Sequence, residues 1–205
     1  MARSWASRRG LPVPMTAAHD VASLPKGARV GTSSLRRMCQ LKAARPDLEI
    51  VALRGNVDTR LGKVQAGELD AIVLACAGLR RLGHGDAITA ALSLVESLPA
   101  IAQGALAIEC RSADSVTRTL LAALDDPSLR TLVTAERSFL ATLEAGCSFP
   151  AAAYAEHFGT TLKLHGLVAP DGRLVRSKMA GAAETAAGLG RALATELMAL
   201  SGMQK

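Results

Sequence analysis

The residues with most chemistry to offer are arginines that stand where an apolar run gives way to a helical pattern. Three stretches share this design: Gly31-Thr32-Ser33-Ser34-Leu35-Arg36-Arg37, Arg54-Gly55-Asn56-Val57-Asp58-Thr59-Arg60, and Ala77-Gly78-Leu79-Arg80-Arg81-Leu82-Gly83. A guanidinium is a planar fork of N–H donors that grips a carboxylate at two points. The unpaired N–H groups at a helix N-terminus attract anions as well. Each junction alone reads equally well as a capped, solvated helix start. Arg54 is harder to dismiss, because it directly follows an apolar run and precedes Gly55. Taken together, the junctions favour a cleft for a polyanion. The first lacks the G-x-x-x-x-G-K-[ST] spacing of a triphosphate loop, so carboxylates or simple phosphates are the better anion class.

The cysteines offer a second chemistry. Cys39 and Cys76 sit in apolar or helical contexts and Cys110 follows an apolar run, all places where an inert thiol is the default. Cys147 follows Gly146 and precedes Pro150, a loop setting in which a thiol can be exposed and reactive. Sequence spacing leaves both readings of Cys147 open. No C-x-x-C pair or metal-ligand spacing occurs, so no metal is expected, and reduced thiols point to the cytoplasm.

These side chains need elements to hold them. Arg29–Gly31, Glu49–Leu53 and Asp70–Leu74 read as strands. Ser33 or Ser34 can cap a helix carrying Leu35, Met38 and Cys39 that ends before Pro46. Asn56 can cap a helix on which Val57, Leu61 and Val64 share a face, with Gly67 as its stop, and a short helix ends near Gly83. This alternation predicts a doubly wound parallel α/β lobe, whose strand C-terminal edge is where ligands bind. Ala105–Ile108 is expected as a strand, followed by a helix capped by Ser112 and striped with Val116, Leu120, Leu121 and Leu124. Asp125-Asp126-Pro127 breaks the chain. A helix striped with Leu129, Leu132, Val133, Leu140 and Leu143 then runs to Gly146. Strands Thr161–Val168 and Arg173–Met179 flank the Pro170-Asp171-Gly172 turn, and Leu189, Leu193 and Leu197 mark a last helix. The final third is therefore a small α+β domain.

Composition narrows the partners. Among 205 residues, 49% are hydrophobic but only 2% aromatic, so the cores are aliphatic. A net charge of +6 asks for an anion. The basic residues are scattered and few aromatics are present to stack on bases, which disfavours nucleic acid. The apolar run 87–95 is too short to span a membrane. Residues 1–19 contain Arg3, Arg8 and Arg9, but Gly10, Pro12 and Pro14 spoil an amphipathic targeting helix.

Val30–Leu41, Leu53–Leu61, Asp70–Gly83, Leu98–Arg111 and Thr134–Pro150 resemble consecutive blocks of the porphobilinogen deaminase family, in family order and spacing. That family joins four porphobilinogens head to tail into hydroxymethylbilane with release of ammonia. It uses a covalently attached dipyrromethane as primer. The resemblance implies that Cys147 holds the dipyrromethane through a thioether. It implies that Arg36, Arg37, Arg54, Arg60 and Arg81 bind acetate and propionate groups, with Thr32, Ser34, Asn56 and Gln103 as polar contacts. It further implies a periplasmic-binding-protein-like lobe over 24–99, a crossover segment over 100–125 belonging with the family's first domain, and the α+β domain over 126–205. The expected partners are porphobilinogen and the growing polypyrrole, bound by a monomer.

Two departures accompany the resemblance. Residues 1–23 do not match, and the family's first lobe, which carries the acid–base aspartate, is not found in the sequence. No catalytic acid is therefore assigned here, and the alternative to a transferase is an inactive carboxylate-binding module of the same family. Ala102 and Ala145 stand where the family usually has glycine.

Overall fold

The computed structural model describes residues 20–144, 146 and 149–203. Strands β1 (Arg29–Gly31), β2 (Glu49–Val51) and β3 (Ala71–Ile72) form a parallel sheet in the order β2-β1-β3, with Val30 opposite both Ile50 and Ala71. Alternate residues face opposite sides of a strand, and both sides of this sheet are apolar. Val30, Ala71 and Val73 pack with Leu41 and Leu48 beside α1 (Leu35–Ala44). Ile72 and Leu74 pack with Leu61 and Val64 of α2 (Val57–Gln65). One helix on each face is the arrangement that the strand–helix alternation anticipates. Gly31 lets three apolar side chains close over the end of β1: a Cβ there would lie 2.8 Å from Leu69 Cδ1 and 3.0 Å from Ile72 Cγ2, so those methyls would have to shift.

Helix α3 (Cys76–Arg81) follows β3, and most of residues 82–114 is irregular. Two leucines pin this connection to both halves of the molecule. Leu92 joins the core of the parallel-sheet lobe, and Leu98 packs with Ala152, Tyr154 and Leu167 of the C-terminal domain. Residues 105–108 form no strand, contrary to the expectation, because their backbone pairs with no strand among the described residues. Helix α4 (Ser115–Ala122) is capped by Asp114, not Ser112: the Asp114 carboxylate accepts from Thr117 N at 2.9 Å, stronger than a serine hydroxyl could. Leu106, Ile108, Val116, Leu120 and Leu124 are all exposed.

The C-terminal domain comprises α5 (Pro127–Thr142), β4 (Ala151–Phe158), β5 (Thr161–Val168), β6 (Val175–Ala182) and α6 (Ala186–Ser201). Its antiparallel sheet runs β4-β5-β6. Helices α5 and α6 share a core with one sheet face, where Phe139, Leu164, Leu193 and Leu197 are buried. The two helices nearly touch, since a Cβ on Gly190 would lie 2.2 Å from the Ala135 carbonyl. Three expectations shift here. Helix α5 ends at Thr142 rather than at Gly146, as Glu144 turns to φ 51°. Strand β6 starts at Val175 and runs to Ala182, in register with all of β5. Strand β4 was not anticipated, because its Ala-rich run lacks the β-branched residues that mark strands.

Candidate carboxylate-binding cleft

The first turn of α1 is locked from below by three hydroxyls. Buried Thr32 accepts from Ser34 N through Oγ1 at 3.2 Å. Ser33 Oγ donates to Leu53 O at 2.7 Å and accepts from Leu53 N at 2.9 Å, so it ties the end of β1 to the chain leaving β2. Ser34 is the N-cap, accepting from Arg37 N at 3.4 Å. On this base Arg36 and Arg37 stand side by side. Arg36 Nη1 donates to Leu98 O at 2.6 Å and Arg37 Nη1 donates to Val73 O at 2.8 Å. Among the described residues no ion pair reaches either one.

Burial and the neighbouring Arg37 charge push the Arg36 guanidinium down to about 10. Burial and the charge of Arg60 push Arg37 down as well. Both remain cations at neutral pH, so two partly desolvated like charges share one site with no acid among their described contacts. A bound carboxylate would relieve that cost.

Arg36 borders two spaces. A narrow one, also lined by Arg37, Ser97, Pro99 and Gln103, has room for little more than a water. A cleft of about 610 Å³ extends from Ser34 and Arg36 past Ile101 to Gly146, Phe149 and Ala151. Among the described residues, neither space is lined by an aspartate, glutamate or histidine.

The other residues singled out by sequence take different places. Arg60 donates from Nε to Gly55 O at 2.8 Å, and its charge reaches Arg37. Asn56 uses its side-chain oxygen to cap α2, accepting from Thr59 N and Thr59 Oγ1, both at 2.8 Å. Gln103 sits in the turn 100–104, where its Oε1 accepts from Ala100 N at 3.3 Å. Arg54 and Arg81 are exposed and border neither space. Cys147 and Ala145 lie outside the described residues. Ala102 has φ 55°, the left-handed region in which glycine is unstrained.

Four contributors escaped the sequence reading. The sequence marks Ser33 only as a possible helix cap. Gln40 and Glu136 are fully buried polar residues on helix faces otherwise read as apolar or solvated. Glu136 accepts from Ala102 N at 2.6 Å and from Ala155 N at 2.8 Å, so it joins the turn bearing Gln103 to β4. Arg176 reaches across from β6 to Gln40. A glutamate four residues before Leu140 in the α5 stripe is a readable signal; nothing in the sequence marks Gln40 or Arg176.

Comparison with known proteins fits this geometry. Residues 9–119 match the family model "Porphobilinogen deaminase, dipyromethane cofactor binding domain", and residues 130–199 match "Porphobilinogen deaminase, C-terminal domain". The chain belongs to the porphobilinogen deaminase family. It is 54% identical over 183 residues to a porphobilinogen deaminase of Roseiflexus castenholzii, covering 89% of this chain and 60% of that protein. A porphobilinogen deaminase of Xanthomonas euvesicatoria pv. vesicatoria is 54% identical over 177 residues, covering 85% of this chain and 58% of the relative. The chain thus spans about 60% of the length of the curated relatives it matches. No described helix is long and apolar enough to cross a membrane.

Proposed function

We propose that the cleft at the start of α1 binds the carboxylates of porphobilinogen and of a dipyrromethane primer, as part of a hydroxymethylbilane synthase that condenses four porphobilinogens with release of ammonia. The observation that carries this reading is the pair Arg36 and Arg37: adjacent, partly desolvated, and without a carboxylate among their described contacts. Each porphobilinogen brings two carboxylates, so the donor set fits the group. Residues 24–99 act as the periplasmic-binding-protein-like lobe, 100–125 as the crossover segment, and 126–205 as the domain presenting Cys147. A cytoplasmic monomer is the setting we assign.

In this scheme the chain's residues bind and orient. A dipyrromethane held through the Cys147 sulfur would supply the free pyrrole α-carbon that takes the first porphobilinogen, and each later unit would join the end of the growing chain. Arg36 keeps N–H groups beyond the one bonded to Leu98 O, and Arg37 keeps those beyond the one bonded to Val73 O. These forks fix carboxylates at two points and so fix the pyrroles that carry them. Arg60 adds positive field near Arg37, and Arg54 and Arg81 supply exposed charge that draws the anion in. Thr32, Ser34 and Asn56 hold the two helix starts, while Gln103 closes the narrow pocket. The described lining of the two spaces offers guanidiniums and hydroxyls, so what these residues contribute is electrostatic positioning.

Arg37→Leu tests the reading. Calorimetric titration of the chain with porphobilinogen should show binding weakened by about 2–5 kcal/mol, the usual loss when a desolvated charge pair is truncated. Circular dichroism should be unchanged. Affinity equal to that of the unsubstituted chain would refute the assignment of Arg37.

A further inference from the structure

Arg36 is not positioned by α1 alone. Its Nη1 donates to Leu98 O, and the same carbonyl accepts from Gln40 Nε2 at 3.1 Å. Gln40 Nε2 also donates to Arg36 O at 3.1 Å, one helical turn back. On the other side of the amide, Gln40 Oε1 accepts from Leu98 N at 2.6 Å and from Arg176 Nη2 at 2.7 Å. Both donors and both acceptor positions of this buried amide are thus engaged.

The orientation of that amide depends on Arg176. A guanidinium donates only, so it can meet the oxygen of Gln40 but not its NH₂ group. With Oε1 held toward Arg176 and Leu98 N, the NH₂ group must face Leu98 O. The Leu98 peptide is then clamped from both ends, and its carbonyl lies where Arg36 Nη1 finds it. Arg176 also donates to Val95 O, so the segment Val95–Leu98 is held at two points. Arg176 belongs to β6, which places it in the domain that carries Cys147.

We propose that Arg176 and Gln40 are positioning residues for Arg36: through one buried amide and the Leu98 peptide, the C-terminal domain sets which N–H groups of Arg36 face the cleft. Burial without an acid partner among the described residues also lowers the Arg176 guanidinium, which fits a group held for its directed donors rather than for an ion pair. The proposal rests on the carboxylate-binding reading of Arg36. It adds that this reading depends on a residue in another domain.

A double-mutant cycle with porphobilinogen as the probe tests it on the full chain. Arg176→Met should weaken binding about tenfold, the scale expected when a binding group is displaced rather than removed. In an Arg36→Ala background the same substitution should have no further effect, since its only route to the ligand is gone. Arg176→Lys should recover most of the loss, because an ammonium still donates to Gln40 Oε1. If Arg176→Met does not fold, Gln40→Met should show the same non-additivity. Equal losses with and without Arg36 would overturn the proposal. Rotation of the Arg36 guanidinium, followed by ¹⁵N NMR without ligand, separates this claim from the ligand reading. An unsubstituted chain that does not bind porphobilinogen would defeat the ligand reading and leave this measurement to decide. Faster Arg36 rotation in Arg176→Met would then support the latch, and unchanged rotation would overturn it.

Discussion

Glu136→Gln is the perturbation that most sharply probes how the cleft is held to the C-terminal domain. The Glu136 side chain is 1% exposed and takes hydrogen bonds from Ala102 N at 2.6 Å and Ala155 N at 2.8 Å. Glutamine has the same shape but one acceptor oxygen. Its NH₂ group would meet a peptide N–H, leaving one buried donor without an acceptor. A hydrogen bond to a charged group contributes about 1.5–3 kcal/mol, and the surviving bond falls to roughly 1 kcal/mol once the charge is gone. The expected destabilisation is therefore about 2–4 kcal/mol. Urea unfolding followed by circular dichroism should show the midpoint lowered by about 1–2 M, for a slope near 2 kcal/mol per M. Ala102→Gly acts on the same turn with the opposite sign. Relief of φ 55° should raise stability by about 0.5–1 kcal/mol after the entropy of glycine is deducted. A midpoint moved by less than about 0.3 M in Glu136→Gln, at unchanged slope, would refute the assigned role of the carboxylate.

Two further outcomes follow from neighbouring features. Porphobilinogen should slow alkylation of Cys147 by iodoacetamide, read by mass spectrometry, because Gly146 and Phe149 on either side of it line the cleft; equal rates with and without ligand would count against Cys147 as the tether. The Arg45–Asp47 clasp should respond to acid. Arg45 donates to Asp47 at 2.7 Å and to the carbonyls of Val21, Ala22 and Leu24, while Asp47 also accepts from Gly27 N. The Arg45 guanidinium first, and the Gly27 amide next, hold the Asp47 carboxyl below its ordinary value of 3.8. A depressed carboxyl stabilises above that value and loses its contribution as the pH falls toward the folded one. The Gly27 amide resonance should therefore shift as the pH falls below 3.8, and Asp47→Asn should abolish the shift.

The parallel lobe was readable because its signals are local. Ser34 and Asn56 are side-chain caps, Gly31 ends a strand, and the spacing of Leu61 and Val64 sets a helix face. The doubled arginine at Arg36 and Arg37 was likewise visible as residue type and position. What sequence could not show depends on contacts between distant segments. Gln40 looks like an ordinary polar helix residue until Leu98, 58 positions away, supplies its partners. Arg176 lies 136 positions from the amide it orients. The expectation of a strand at 105–108 failed for a related reason: alternating apolar residues propose a strand, but only a paired backbone makes one. Arg54 and Arg81 share the junction motif of Arg36, yet motif alone does not tell a cleft-facing side chain from an exposed one.

Carboxylate recognition through Arg36 and Arg37 is what the proposed function asks of this cleft. Its most direct test is one calorimetric comparison on the full chain, porphobilinogen against its dimethyl ester, which keeps the pyrrole and removes both charges. The acid should bind, and affinity for the ester should be weaker by at least about a hundredfold, the loss expected when charged acceptors are taken from desolvated guanidiniums. Equal affinity for the two compounds would contradict it.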